Sequence, residues 1–354
     1  MVKEKKFKFL FNIFIFILLT FFIFFFRLSF GNSIISPIKV LNIIFNKPFS
    51  NLDGSILTVI RSIRIPSFIS SFIIGAVLSV SGLVMQVILK NPLAEPYTLG
   101  ISSGASFGCS LAIFISSFFS ISGKIFFSEG FSITLIKMIP LFAILFGILA
   151  ALLIFLIALK TKSYSSSSLI ISGIIVNSFF TAAITILFYL LGQKVNLALS
   201  WMMGIIPLAD RSWLFLIIFE LFLTIIYLSF HKEFDLISIS GSLENVVGLN
   251  AAKFKQVFFL ISAIGVSLIV AQSGIIPFIG IIVPYLLKLN SENHFKENLI
   301  YSIFFGGNFL VVIDILTYLI PSLFGSNIQL PIGAVSGFLG APFFLFLLLK
   351  RKLN

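Results

Sequence analysis

Residues 64–105 read RIPSFISSFIIGAVLSVSGLVMQVILKNPLAEPYTLGISSGA. An apolar run from Phe68 to Leu89 is long enough for one crossing of a bilayer core, which takes about 20 residues as a helix. Asn91-Pro92 stops that helix, because the residue before a proline is pushed out of helical geometry. Glu95-Pro96 then reads as a polar turn on the cytoplasmic side. The chain restarts on Gly100, Gly104 and Gly108, a small-xxx-small ladder that lets helix backbones approach closely where lipid supplies no hydrophobic drive between helices. The stretch therefore predicts a span, a tight turn and a second, close-packed span.

Reading outward, further apolar runs fall at about 9–26, 138–159, 167–191, 213–230, 254–272, 277–288, 298–320 and 332–349, which makes ten candidates with 68–89 and 97–118. The composition agrees: 59% of the 354 residues are hydrophobic and 10% charged, against roughly 45–50% and 25% in soluble chains. This excludes a water-soluble globular protein, and disorder as well, which needs low hydrophobicity and high charge. The expected fold class is an all-α polytopic membrane protein of about ten transmembrane helices, organised as one domain over 1–354. Net charge is +12. With both termini inside, the inner segments hold 15 of the 24 basic residues, as the positive-inside rule expects. The basic residues border apolar runs and form no aromatic-interleaved basic face, so nucleic acid is set aside as a partner. The N-terminal lysines followed by 9–26 imitate a signal peptide, but the run is too long and lacks a small-residue cleavage site; it is read as an uncleaved first span. A long extracytoplasmic loop, 27–64, follows it.

Two other features bear on packing. Gly333, Gly337 and Ala341 form a second ladder. Residues 273–284, SGIIPFIGIIVP, mix Gly and Pro into a run too short to span comfortably, and predict a broken or re-entrant helix near 274–288; such backbone must be buried in protein or line a cavity.

The search for chemistry is mostly negative. No G-x-x-x-x-G-K-[ST] phosphate loop and no H-E-x-x-H occurs. His231 and His294 lie at predicted cytoplasmic helix ends, and the single cysteine, Cys109, permits no intrachain disulfide or cysteine-based metal site. Acids inside apolar runs are functional candidates by default, and there are two, Glu220 and Asp314. A proton-coupled secondary transporter using them is the competing reading to the one below; a membrane-embedded enzyme is disfavoured by the missing catalytic clusters.

Taken with Asn91, Pro92, Glu95, Pro96, Gly100 and Gly104, the 64–105 stretch resembles the FecCD-type permeases, the membrane subunits of ABC importers for iron–siderophores, haem and vitamin B12, whose pattern R-x-P-R…G-A…G…Q…N-P-L-A-[DE]-P-x-x-L-G-[VI]-S-x-G-A it matches almost throughout. Leu169-Ile-Ile-Ser-Gly173, Trp201-Met-Met-Gly204, Asp314, Leu330-Pro-Ile-Gly333 and Gly340-Ala-Pro-Phe343 are similar to further family segments, so the likeness runs from about residue 55 to the C-terminus. The N-P-L-A string is the specific part; W-M-M-G or L-P-I-G alone is weak.

The resemblance implies a ten-helix permease in the cytoplasmic membrane that pairs with a second copy of itself. Two separate cytoplasmic ATPases drive it and an extracytoplasmic binding protein delivers cargo, so this chain needs no cofactor of its own and is not an enzyme. It implies ATPase coupling through 234–253, with Ser240, Gly241, Glu244 and Gly248 as the expected contacts, and binding-protein docking through outer arginines. Arg64 matches the first arginine of R-x-P-R, but Ser67 replaces the second and Tyr318 stands where an arginine often follows Asp314. Arg61, one helical turn from Arg64, is the expected substitute, with Tyr318 adding aromatic contact.

Overall fold

The computed structural model describes residues 2–31, 33–44, 54–97, 99–122, 139–160, 166–206, 212–239, 250–290, 294–326 and 328–351. These residues form helices and no strand. In chain order they are α1 (Val2–Ser29), α2 (Pro37–Ile44) and α3 (Gly54–Val59), which continues through one π turn (Ile60–Arg64) into α4 (Ile65–Ile88). Then come α5 (Ile101–Ser122), α6 (Ile139–Lys160), α7 (Ser166–Leu191), the short α8 (Val195–Met202), α9 (Ser212–Ser229) and α10 (His231–Ile239). The set ends with α11 (Ala251–Ser273), α12 (Ile279–Asn290), α13 (Phe295–Leu323) and α14 (Ile332–Arg351). Among the described residues six helical stretches are long and apolar enough to cross a membrane, α9 and α10 form a pair bent by 61°, and three shorter apolar stretches lie at Ile101–Ser117, Ile279–Lys288 and Ile332–Phe346. Helices are the expected solution, because apolar surroundings oblige each segment to satisfy its own backbone.

Helix α4 is the axis of the bundle. It is buried almost throughout and packs against α13, α11, α12 and α9. Its small residues permit this: a Cβ on Gly75 would stand 2.3 Å from the Gly306 carbonyl oxygen, so α4 and α13 cross backbone to backbone. Helix α1, built of Phe, Leu and Ile, lies at the edge against α13. The predicted ladder on α5 packs within the chain, Gly104 and Gly108 against the Phe146 and Phe142 carbonyls of α6. The second ladder is only partly used in this way: Gly333 abuts the Ile275 and Met203 carbonyls, whereas Ala341 is exposed.

The expected break is present. Helix α11 stops at Gly274, whose φ of 70° is left-handed and whose N–H bonds the Val270 carbonyl. The chain then runs non-helically to α12, only 12 residues long. A second interruption departs from the sequence reading. The 91–100 connection is not a solvated cytoplasmic turn: Ala94, Glu95 and Leu99 are 2–3% exposed. Glu95 lines the same small cavity as Leu78, Val270 and Gly280. Leu78 lies ten residues, about 15 Å of helix rise, before the end of α4. The connection therefore climbs back along α4, and α5 starts deep in the bundle.

Candidate functional site

Three places gather the residues singled out by sequence. The first is the end of the bundle where α1 finishes and α4 begins. Arg27, in the last turn of α1, gives its Nε to Asp314 Oδ2 at 2.7 Å and its Nη2 to Ser67 Oγ at 2.8 Å. Its Nη1 donates to the Phe30 carbonyl, and its guanidinium lies 4.9 Å from the Tyr318 ring centroid. Ser67 and Ser71 also donate to Asp314 Oδ2. Arg27 and Asp314 are 1% and 0% exposed. A charge pair this deep persists only when its geometry and its extra hydrogen bonds offset desolvation. Arg27 thus ties α1, α4 and α13 together at one point.

Arg64 corrects an expectation. It is 3% exposed and gives Nη1 to the Leu28 carbonyl and Nη2 to the Ser33 carbonyl, clamping the turn after α1 in place of facing outward. Tyr318 is half-buried with its ring committed to Arg27. Arg61 is exposed. Replacing Arg64 with Ala leaves two carbonyls without their donor at a cost of about 1–2 kcal/mol. The expected result is roughly tenfold faster hydrogen exchange across residues 29–36, with α5 and α6 unchanged; equal exchange in both forms would show that Arg64 does not hold the turn.

The second place is the pair of breaks. The Glu95 carboxylate accepts the backbone N–H groups of Phe278 and Ile281, so an acid from the 91–100 connection caps the first turn of α12. Gln86 Nε2 reaches the Gly280 carbonyl at 3.2 Å. Asn91 works at the start of the connection, its Oδ1 accepting the Leu93 N–H at 2.9 Å, while Pro92 sits at the turn. Gly100, with φ of 85°, lies against α7, where a Cβ would approach the Gly173 carbonyl to 3.0 Å. The two weak motifs also meet here: Met203 accepts the Gly333 N–H and Ser273 accepts the Ile205 N–H, stitching W-M-M-G to the end of α11 and the start of α14.

The third place is the opposite end. Phe234 of α10 stacks on Phe295 of α13, and Asp235 Oδ1 accepts the Phe295 N–H at 2.6 Å. His294 is solvated beside Asp235, and His231 bonds the Leu228 carbonyl. Ser240, Gly241, Glu244 and Gly248 lie outside the described residues.

Glu220 is held by Thr224 of its own helix at 3.2 Å, while Asp314 belongs to Arg27; among the described residues no contact joins the two acids into a relay. Arg27 is the functional candidate that sequence reading missed. Its signal was available: a lone acid in a span needs a partner, and two of the family's arginines are missing at 67 and 318.

The comparisons with known proteins agree in direction. The FecCD transport family matches residues 18–350. The uncharacterized ABC transporter permease protein YvrB of Bacillus subtilis is 30% identical over 302 residues, 84% of this chain and 81% of that protein. The iron(3+)-hydroxamate import system permease protein FhuG of the same organism is 28% identical over 334 residues, 93% and 94% of the two chains. A solved inward-facing conformation of a metal-chelate type ABC transporter superposes with a TM-score of 0.78 at 26% identity, covering 95% of this chain and 98% of its own. With the N-P-L-A connection, the α11–α12 break and the paired Asp314 in place, the chain belongs to the FecCD transport family, as a multi-pass protein of the cytoplasmic membrane.

Proposed function

We propose that the protein is the permease subunit of a binding-protein-dependent ABC importer for metal-chelate cargo of the iron–siderophore, haem or corrinoid kind. The observation that best supports this is the end-to-end likeness to a metal-chelate type transporter in a chain that carries no phosphate loop of its own. In this reading ten segments cross the membrane, the six long spans, the bent α9–α10 pair and the three shorter stretches, with both termini inside. Two copies form a central path, two cytoplasmic ATPases engage the 234–253 region through Ser240, Gly241, Glu244 and Gly248, and ATP binding switches which side of the path is open. A nucleotide can shift that equilibrium only by its differential affinity for the two states. The binding protein supplies most of the selectivity.

The test is uptake into vesicles holding the permease, its ATPase and its binding protein loaded with each candidate cargo. ATP-dependent uptake of one cargo is expected; uptake driven by a proton gradient without the ATPase would overturn the reading. Docking falls to Arg61, and the exposed Phe324 and Ile328, which follow the end of α13, are available for apolar contact with the binding protein. A rim charge acts mainly on association rate. Arg61→Glu is accordingly expected to slow capture of the binding protein about tenfold at low salt, with the difference shrinking as salt rises. An unaltered rate would remove Arg61 from the docking surface.

A further inference from the structure

We propose that the stack of Phe234 on Phe295, with the Asp235 cap beside it, is the mechanical joint that passes movement of the ATPase-facing region into α13. The inference rests on the ABC-importer reading and deepens it. The rings lie 4.1 Å apart, centroid to centroid, and 14° from parallel. Phe234 is fully buried and is the centre of an aromatic cluster, with Phe258 at 4.7 Å, Phe254 at 5.0 Å and Tyr227 at 6.3 Å. Phe234 belongs to α10, the last described helix before residue 240, and Phe254 to α11, the first helix after residue 249. The chain therefore leaves for and returns from the 240–249 stretch through rings that touch one another. That cluster contacts α13 at its first residue, Phe295.

Two kinds of contact meet at Phe295. The stack fixes its side chain, and Asp235 Oδ1 fixes its backbone N–H at 2.6 Å. A helix held at its first turn by both cannot slip or rotate there without the cluster following. A carboxylate at this position also suits the positive end of a helix. Helix α13 has 29 residues, about 43 Å of rise, enough to cross the whole bilayer including its headgroup regions. Between its ends it crosses α4 backbone to backbone at Gly75 and Gly306. At its far end stand Asp314 and Tyr318, held by Arg27. One rigid element thus runs from the cluster at the inner end to the Arg27 network at the outer end.

The joint is tested in the permease–ATPase complex with its binding protein, comparing Phe295→Leu, which removes the stack, with Phe295→Tyr, which keeps it. The Leu variant is expected to assemble and to keep ATPase activity without binding protein, while stimulation by binding protein and uptake fall about tenfold or more, the scale of ordinary coupling energies. The Tyr variant should restore both. Wild-type stimulation in the Leu variant, or parallel loss of assembly, unstimulated ATPase and uptake in both variants, would reduce the contact to packing. A second measurement needs no variant: hydrogen exchange of the wild-type complex with and without a non-hydrolysable ATP analogue. Protection at 295–299 and at 318–323 should change together, and a change confined to 250–258 would overturn the joint. If the wild-type complex shows no ATP-dependent uptake at all, the importer reading fails first.

Discussion

Arg27→Met should lower the stability of the protein by about 3–5 kcal/mol, the cost of leaving one member of a buried pair without the other. Met keeps the length and apolar stem of the side chain and removes only the guanidinium. Asp314, fully buried, would keep the two serine hydroxyls of Ser67 and Ser71 and lose its countercharge. The ends of α1, α4 and α13 would lose their common tie, and the turn after α1 would lose the donor to Phe30. The double variant Arg27→Met with Asp314→Asn leaves no charge behind. Replacing a whole buried pair by neutral groups is often close to neutral, so the double variant should recover most of the loss, a non-additivity expected of residues in one network. The check is the thermal unfolding midpoint in detergent: wild type and double variant close together, Arg27→Met well below both. A single variant that melts with the wild type would mean that the pair contributes nothing.

Much of this architecture was legible in the sequence, and the parts that were not were each hidden for a physical reason. Hydropathy finds apolar runs but is blind to what covers them. The stretch Phe7–Ser29 is the more apolar of the two yet faces mostly outward, whereas the less apolar Gly54–Ile88 contains α4, which is buried almost throughout. Lipid tails are as apolar as leucine, so small residues, not hydrophobicity, mark the helix at the centre; Gly75, Ala76, Ser79 and Gly82 carried that signal. The depth of the 91–100 connection was hidden for the opposite reason. Asn, Pro and Glu ordinarily mark a solvated turn, and only the partner segment 278–281, remote in sequence, turns Glu95 into a cap. Arg27 was hidden because an arginine ending a span reads as an orientation signal and its acid lies 287 residues away. Phenylalanine makes up 46 of the 354 residues, and part of it has a place in the fold: the rings of α10, α11 and α13 build one cluster at the start of α13, and many in α1 face outward, as Phe14, Phe21 and Phe22 do.

The other large effect is expected at Gly82. In an ordinary helix interior Gly→Ala stabilises by about 1 kcal/mol; at Gly54, the first residue of α3, an added Cβ meets nothing within 4 Å, so the same change should be close to neutral. At Gly82 the added methyl would lie 2.0 Å from the Gly280 carbonyl oxygen and 2.5 Å from its Cα. These are backbone atoms at the start of α12, so no rotamer change relieves the clash, and α4 and α12 must part by about 1 Å before the contact becomes tolerable, which overpacking studies put at about 1–3 kcal/mol. The displacement falls on the atoms that hold the break together: the Gly280 carbonyl that accepts from Gln86, and the Phe278 and Ile281 N–H groups that Glu95 caps. Stability and the local opening of 278–283 should therefore change together. Gly82→Ala is expected to lower the unfolding midpoint and to speed hydrogen exchange at 278–283, while Gly54→Ala holds the midpoint. Equal behaviour of the two variants would mean that the close approach of α4 to the break does not constrain the fold.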